Sequence, residues 1–391
     1  MDLILTLLPP IAAVFVFIYM RQQRKAAQEH NESLFPDLKE RHGQTPTSSP
    51  RQGVYFLGIF EFAINAIEKF ILPNPNGSKE RQIQNLINSA RQRGDLKGKL
   101  AVITGGDSGI GCELAKALIE CGMNVIISGR SERALQQAEG RIRSALNVGH
   151  DRLKHIILEL SSFEKVEEFT KAVGENLDSR GIDILVNNAG VMNCPFEKTK
   201  NHLEYQSQVN CFATILTTLY LLPLMSPKSR IITTSSSTLY ATNHIDISKF
   251  SSRYRLDGLG AYAQSKLSLA LLTKYLSERV QTLNPGVTIN SCHPGIVNTP
   301  LFQYSTVFSL AIFHPNIDSV SGEFWLNQLP RPLGSITMGS RQEVEESQTA
   351  TIQRWLWQIS LDFWGISEDK VDKFISLCRK ADCDTDDEVV I

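Results

Sequence analysis

The 391-residue chain has almost no charge imbalance: 40 basic residues stand against 41 acidic ones, a formal net charge of −1. That removes the electrostatic case for nucleic acid as a partner, because phosphate binding needs a basic excess. The eight histidines lack the spacing of a metal-ligand set, so no metal site is expected. The seven cysteines (Cys112, Cys121, Cys194, Cys211, Cys292, Cys378 and Cys383) are odd in number, scattered and free of any Cys-x-x-Cys pair. That argues against a disulfide framework and for reduced thiols on the cytosolic side. Internal repeats are missing too. The length allows one large domain with extensions, or two small domains.

Long hydrophobic runs are scarce. Leu3–Met20 is apolar and uncharged, broken by Pro9-Pro10 and closed by Arg21, Arg24 and Lys25. It is short for a membrane span. A cleaved signal has its basic residues before the run and a small-x-small site after it; here the order is reversed and no such site follows Met20. A membrane anchor over residues 1–25 is therefore expected, with Arg21–Lys25 cytosolic by the positive-inside rule. A shallow hairpin bent at the two prolines, a cleaved signal and a buried soluble segment are the alternatives. Residues 26–95 read as a polar linker, Glu32–Arg51, followed by a helix over Val54–Leu72 with one polar stripe at Glu61, Asn65 and Glu68. That helix fits either the membrane interface or the face of a folded domain. Asn31 and Asn76 match the glycosylation acceptor pattern, which has no consequence on a cytosolic segment.

From residue 96 the pattern changes. Lys99–Thr104 reads as a buried parallel strand, followed by Gly105-Gly106-Asp107-Ser108-Gly109-Ile110-Gly111 and a helical stretch from Cys112 to Cys121. Glycines at such a turn let the backbone approach a pyrophosphate, whose charge faces the helix N-terminus. A second strand, Asn124–Ser128, ends in Gly129-Arg130. Dinucleotide sites that prefer NAD place an acid there, whereas an arginine suits a 2′-phosphate, so Arg130 favours NADP(H) over NAD(H). A third strand is expected near His155–Leu160 and a fourth over Ile182–Val186, which ends in Asn187-Asn188-Ala189-Gly190. The alternation of strands and helices specifies an α/β fold with a doubly wound parallel sheet.

A long helix over Leu203–Leu222 carries Asn210. A fifth strand, Arg230–Thr234, runs into Ser235-Ser236-Ser237. Tyr262 and Lys266 lie four apart on the next helix and so share a face. A lysine ammonium stabilises a nearby phenolate and lowers its pKa, which lets the tyrosine move a proton to or from an alcohol oxygen. Alone the pair is unspecific. A sixth strand, Val287–Cys292, leads to Pro294, Gly295 and Thr299 at the same sheet edge.

These segments, in this order, resemble the short-chain dehydrogenase/reductase family from about Asp95 to Ser340, in its retinol-dehydrogenase-like branch. The resemblance implies a single Rossmann domain over residues 96–340 and a C-terminal helix with an acidic tail over 341–391. It implies catalytic Ser236, Tyr262 and Lys266, with Asn210 completing a proton relay through water. It implies a cofactor held by Gly105, Asp107, Ser108, Gly109, Ile110, Gly111, Arg130, Glu159, Asn188, Ala189, Gly190, Tyr262, Lys266, Pro294, Gly295 and Thr299. The expected activity is interconversion of an alcohol and a carbonyl on a lipophilic retinoid, steroid or polyprenol. The expected site is a membrane of the endoplasmic reticulum or a lipid droplet, with a homo-oligomer left open. Two departures stand out. Glu159 replaces the family's aspartate beside the adenine, and the segment from Thr299 to Gly322 is shorter than the usual substrate lid. The second departure motivates an alternative: an anchored nucleotide- or lipid-binding scaffold without turnover. A last strand is expected at Ser321–Trp325, and a tryptophan-bearing helix at Ser347–Trp364 that docks on the core or presents its aromatics to a membrane.

Overall fold

The computed structural model describes residues 79–177, 181–242, 245–246, 248–251, 258–284, 286–294, 324–326, 329–331 and 342–378. The expected anchor, linker and Val54–Leu72 helix, the acceptor sites Asn31 and Asn76, Gly295, Thr299, the shortened lid and the acidic tail lie outside these residues.

One sheet organises the described chain. Its strands are β1 (Leu100–Thr104), β2 (Asn124–Gly129), β3 (Leu153–Ile157), β4 (Ile182–Asn187), β5 (Met225–Thr234), β6 (Thr288–Cys292), β7 (Phe324–Leu326) and β8 (Leu329–Arg331). The spatial order is β3-β2-β1-β4-β5-β6-β7-β8. Strands β1 to β7 are parallel neighbours and β8 is antiparallel to β7. β1 and β2 read as near-continuous apolar runs because helices cover both faces of the sheet. Val102, Ile126 and Leu185 face one core, while Ala101, Ile103, Val125, Ile127, Ile184 and Val186 face the other. The strand order reverses between β1 and β4, and that reversal opens a crevice at the C-terminal ends of the strands. β3 begins earlier than expected. It is the edge strand, so Lys154 and His155 sit within it on partly solvated positions and the apolar signal is displaced toward Leu160.

Among the described residues, six long helices cover the sheet between its strands or just before them. α1 (Lys79–Arg93) was not expected; it sets Ile83, Ile87 and Ala90 on one stripe of an otherwise polar helix and buries them in the second core. The folded unit thus reaches back before residue 96. α2 (Gly109–Glu120), α3 (Glu132–Leu146) and α4 (Phe163–Glu175) are the crossovers. α5 (Tyr205–Leu224) is, among the described residues, the one helix long and apolar enough to cross a membrane, and it is wholly buried. A helix that is apolar all round belongs in a core. α5 carries a π-helical turn at Gln208–Phe212. α6 (Gly258–Leu283) bears the Tyr262–Lys266 pair.

The C-terminal tryptophans dock. α7 (Gln342–Trp364) starts earlier than expected and is followed by an unexpected α8 (Glu368–Leu377), whose N-cap Ser367 accepts from Lys370 N–H. Trp357 and Trp364 are buried, and the indole N–H of Trp364 donates to the Phe212 carbonyl of α5 at 3.2 Å. Trp355 faces solvent.

Candidate functional site

The glycine turn is built around side chains that are missing. A β-carbon on Gly111 would lie 2.3 Å from the Gly105 carbonyl oxygen and 2.7 Å from the Asn188 side chain, so nothing larger fits without moving backbone. Gly105 itself has φ +65°, where L side chains are strained. Asn188 locks the turn from β4: its Nδ2 donates to the carbonyls of Thr104 and Gly105, both at 3.1 Å. The backbone N–H groups of Asn188 and Ala189 both donate to Thr104 Oγ1 at 3.0 Å. Ser108 caps α2 through its backbone only, so its hydroxyl is uncommitted to the cap.

A cleft of about 260 Å³ opens above this turn. Its lining brings together Gly105, Asp107, Ser108, Arg130, Glu159, Asn188, Ala189 and Gly190, all of which the sequence nominated. Gly109, Ile110 and Gly111 form the first turn of α2 beneath it, and Pro294 follows β6. Leu158, Leu160, Val191 and Val209 also line the cleft and were not foreseen. Their only signal in the sequence is position, one to three residues from a strand end or a motif. Asp107 was expected to bind cofactor, but not at this corner. Its carboxylate lies where a β-carbon on Gly129 would meet it, at 2.9 Å, so the fold brings an acid to the end of β2 that β2 itself lacks. Glu159 turns part of its carboxylate inward, accepting from Ser161 N–H at 2.9 Å.

The catalytic candidates converge at the adjoining end. Ser236 is buried at the start of a 3-10 turn, Ser237–Ala241, where its Oγ accepts from Thr238 N–H at 3.2 Å. Ser236 also hydrogen-bonds the Tyr262 phenol. Lys266 is buried, and its Nζ donates to the Thr234 carbonyl at 2.8 Å. That ammonium stands 5.8 Å from the centre of the Tyr262 ring and 3.4 Å from where a β-carbon on Gly190 would sit, so it borders the nucleotide cleft. Burial pushes Lys266 down to about 8. Burial also pushes the neighbouring Cys211 and Cys292 thiols far up, so both stay neutral and neither supplies a counter-charge. The phenol differs from expectation. Burial pushes Tyr262 above the ordinary tyrosine value, and the group that pulls it back is Ser236 rather than Lys266.

Asn210 is wholly buried in the π turn of α5. Its Oδ1 accepts from Val191 N–H at 2.8 Å, while its Nδ2 donates to the Val191 carbonyl at 2.8 Å and to Ser265 Oγ at 3.0 Å. Ser265 passes the link to the Tyr262 carbonyl at 2.8 Å. Both amide hydrogens are spent, so this side chain joins the Gly190 turn to the Tyr262 helix. Ser265 was not singled out in the sequence although it lies between Tyr262 and Lys266.

The chain has counterparts among known proteins. Residues 99–307 match the short chain dehydrogenase family, and the chain belongs to it. It is accordingly an oxidoreductase of the class that binds NAD(P). Its relatives include human retinol dehydrogenase 13, 34% identical over 59% of this chain and 68% of the relative. Mouse retinol dehydrogenase 14 is 31% identical over 70% of this chain and 88% of the relative. Mouse polyprenol dehydrogenase is 33% identical over 55% and 67%. Among solved structures, an uncharacterised protein of Mycobacterium paratuberculosis superposes with a TM-score of 0.55 at 24% identity, over 70% of this chain and 97% of its own, which bears on the fold alone.

The cleft fits a nicotinamide dinucleotide. The glycines leave room for backbone approach, the Ser108 hydroxyl is uncommitted to the helix cap, and Lys266 Nζ spends one donor on Thr234.

Proposed function

We propose that the protein is an NADP(H)-dependent oxidoreductase that interconverts an alcohol and a carbonyl on a lipophilic retinoid, steroid or polyprenol. The observation that carries this is the Ser236–Tyr262 hydrogen bond set beside a buried Lys266 ammonium on the border of the nucleotide cleft. Hydride exchange with the substrate carbon is the chemistry the cofactor supplies when bound. Tyr262 gives or takes the proton at the substrate oxygen, and Ser236 donates to that same oxygen. Lys266, charged at neutral pH, offers its remaining donors to ribose hydroxyls. Asn210 holds the Gly190 turn against the Tyr262 helix, which leaves its backbone carbonyl or the second lone pair of Oδ1 for a relay water. Gly105, Ser108, Gly109, Ile110, Gly111, Asn188, Ala189 and Gly190 cradle the dinucleotide; Asp107 and Glu159 face its adenosine; Arg130 takes the 2′-phosphate; and Pro294, Gly295 and Thr299 hold the nicotinamide end. Names of relatives such as retinol dehydrogenase and polyprenol dehydrogenase support the lipophilic class.

Tyr262→Phe is expected to abolish turnover over a panel of retinoids, steroids and polyprenols while leaving NADP(H) affinity within about twofold, since the phenol oxygen acts at the reaction and not in cofactor binding. Undiminished turnover in that variant overturns the mechanism.

The same reading places an anchor at residues 1–25, a linker and helix from residue 26, the catalytic domain at 96–340 with α1 packed onto it, and a C-terminal extension at 341–391. The domain is cytosolic, on the endoplasmic reticulum or a lipid droplet, where it draws substrate from the bilayer. Asn31 and Asn76 test the topology: neither carries an N-glycan in cells if the segment is cytosolic, and a glycan on either one reverses it.

A further inference from the structure

Arg130 is held at the end of β2. Its Nη1 donates to the phenol oxygen of Tyr205 at 2.6 Å, a contact between residues 75 apart in sequence. Arg130 lines the nucleotide cleft, and Tyr205 reaches it from a separate element. Arg130 belongs to the β2 side with Gly129, while Tyr205 opens α5, one turn before the cleft-lining Val209.

The Tyr205 ring packs against the first core, and the hydrogen bonds that hold its helix are made by other groups than the phenol oxygen. The Tyr205 N–H donates to the Glu197 carbonyl at 3.0 Å, and the Glu204 N–H donates to the Phe250 carbonyl at 2.7 Å. The Glu204 carboxylate caps the helix by accepting from Ser207 N–H at 2.8 Å. What the hydroxyl holds is the guanidinium. Burial pushes the Tyr205 phenol up and the guanidinium offsets this only in part, so the oxygen keeps its proton at neutral pH. It accepts from Arg130 and still has an O–H to give. A guanidinium fork held in this way presents its remaining donors to a phosphate dianion.

The same corner contains an opposing group. The Asp107 carboxylate against Gly129 would accept from a free ribose 2′-hydroxyl and repel a phosphate there. Arg130 must outweigh it. An arginine that is loose before binding gives up rotamer freedom on gripping a phosphate, and one already held has given it up beforehand.

We propose that Tyr205 is a positioning residue for cofactor choice: it holds the Arg130 guanidinium across the adenosine end of the cleft, ordered in advance for a ribose 2′-phosphate. This rests on the NADP(H) reading above.

The test needs no substrate. Binding of 2′,5′-ADP and of 5′-AMP is measured by calorimetry on the full chain in detergent, for the native protein, Tyr205→Phe, Arg130→Gln and the double variant. Circular dichroism and thermal unfolding check that each is folded. The native protein should bind 2′,5′-ADP more tightly than 5′-AMP. Tyr205→Phe should weaken 2′,5′-ADP by about fivefold to tenfold, the scale of one hydrogen bond, with 5′-AMP unchanged. The double variant should be no weaker than Arg130→Gln alone, because Tyr205 acts through Arg130. If Arg130→Gln removes the preference for 2′,5′-ADP but Tyr205→Phe leaves it intact, Arg130 acts unaided and the proposal fails while the NADP(H) reading survives. Equal weakening of both ligands by Tyr205→Phe makes Tyr205 an adenosine contact and also overturns the proposal. If the native protein has no preference, or Arg130→Gln does not reduce one, the NADP(H) reading itself fails.

Discussion

The two ends of the cleft are built in opposite ways. At the nucleotide end the shape comes from side chains that are missing: Gly105 and Gly111 meet backbone to backbone, and the Asn188 and Thr104 side chains tie the turn by hydrogen bonds to main-chain groups. At the catalytic end the shape comes from polar side chains taken out of water: Ser236, Lys266 and Asn210 are buried, each with named partners. The first end can absorb no added atom, because the obstacle is backbone. The second can spare no partner, because a buried donor or acceptor left unpaired costs its full desolvation.

The largest effect is expected from adding atoms to the first end. Gly111→Val places carbon against the Gly105 carbonyl, and overpacking of this kind costs about 1–3 kcal/mol or more. NADP(H) affinity should fall beyond measurement and the melting temperature should drop. Retained affinity in a titration would break the contrast, since the turn would then be adaptable.

A smaller effect is expected from removing one partner at the second end. Ser236→Ala deletes the hydrogen bond that pulls the Tyr262 phenol down, so burial acts alone and its pKa rises. In the proposed mechanism alcohol oxidation uses the deprotonated phenol, so its pH–rate profile should move to higher pH, with kcat reduced by about 10²-fold or more, the scale of a positioned acid–base or oxyanion contact. A lower kcat with an unshifted profile would show that Ser236 contacts the substrate alone and does not tune the tyrosine.

The smallest effect sharpens the comparison away from the cleft, where the nucleotide half has an ionisable cluster of its own. His155 on edge strand β3 bonds both Glu139 and Glu132 of α3. Burial acts to lower its pKa, and the two carboxylates outweigh that and raise it above 6.5. A raised folded value means the charged imidazole stabilises the fold below pH 6.5, and this contribution is lost as pH rises through the folded value. Native protein should therefore lose stability relative to His155→Gln across that window, by about 1 kcal/mol or less for a partly exposed pair. Parallel stability–pH curves for the two proteins would remove the cluster from any role.

The strands were legible where they are central. KLAVIT, NVIIS and the run over Ile182–Val186 are mostly apolar because both faces of the sheet are covered, and the structure places β1, β2 and β4 there within a residue or so. β3 was displaced because an edge strand mixes polar positions into its pattern. α1 was missed because three apolar residues on one stripe vanish in a polar 15-residue average. α8 was missed for a similar reason: its buried residues, Val371, Phe374 and Ile375, matter only once Tyr220 of α5 is known to lie beside Phe374, 5.5 Å between ring centres. The motif residues of the cleft could be read from their spacing. Leu158, Leu160, Val191 and Val209 could not, since an apolar residue near a strand end looks the same whether it lines a cleft or fills a core.

By itself, the sequence determined the doubly wound sheet and the glycine turn and, through the family resemblance, nominated Ser236, Tyr262 and Lys266, because backbone clearance, strand periodicity and motif order are written in consecutive residues. Only the tertiary structure decided the rest. It brought the Asp107 carboxylate to the end of β2, carried Tyr205 to Arg130 across 75 residues, spent the Asn210 amide on Val191 and Ser265, and raised the Tyr262 phenol that a neighbouring lysine was expected to lower. Each of these depends on which groups meet and how much water remains around them, and both are set by packing between segments far apart in the chain.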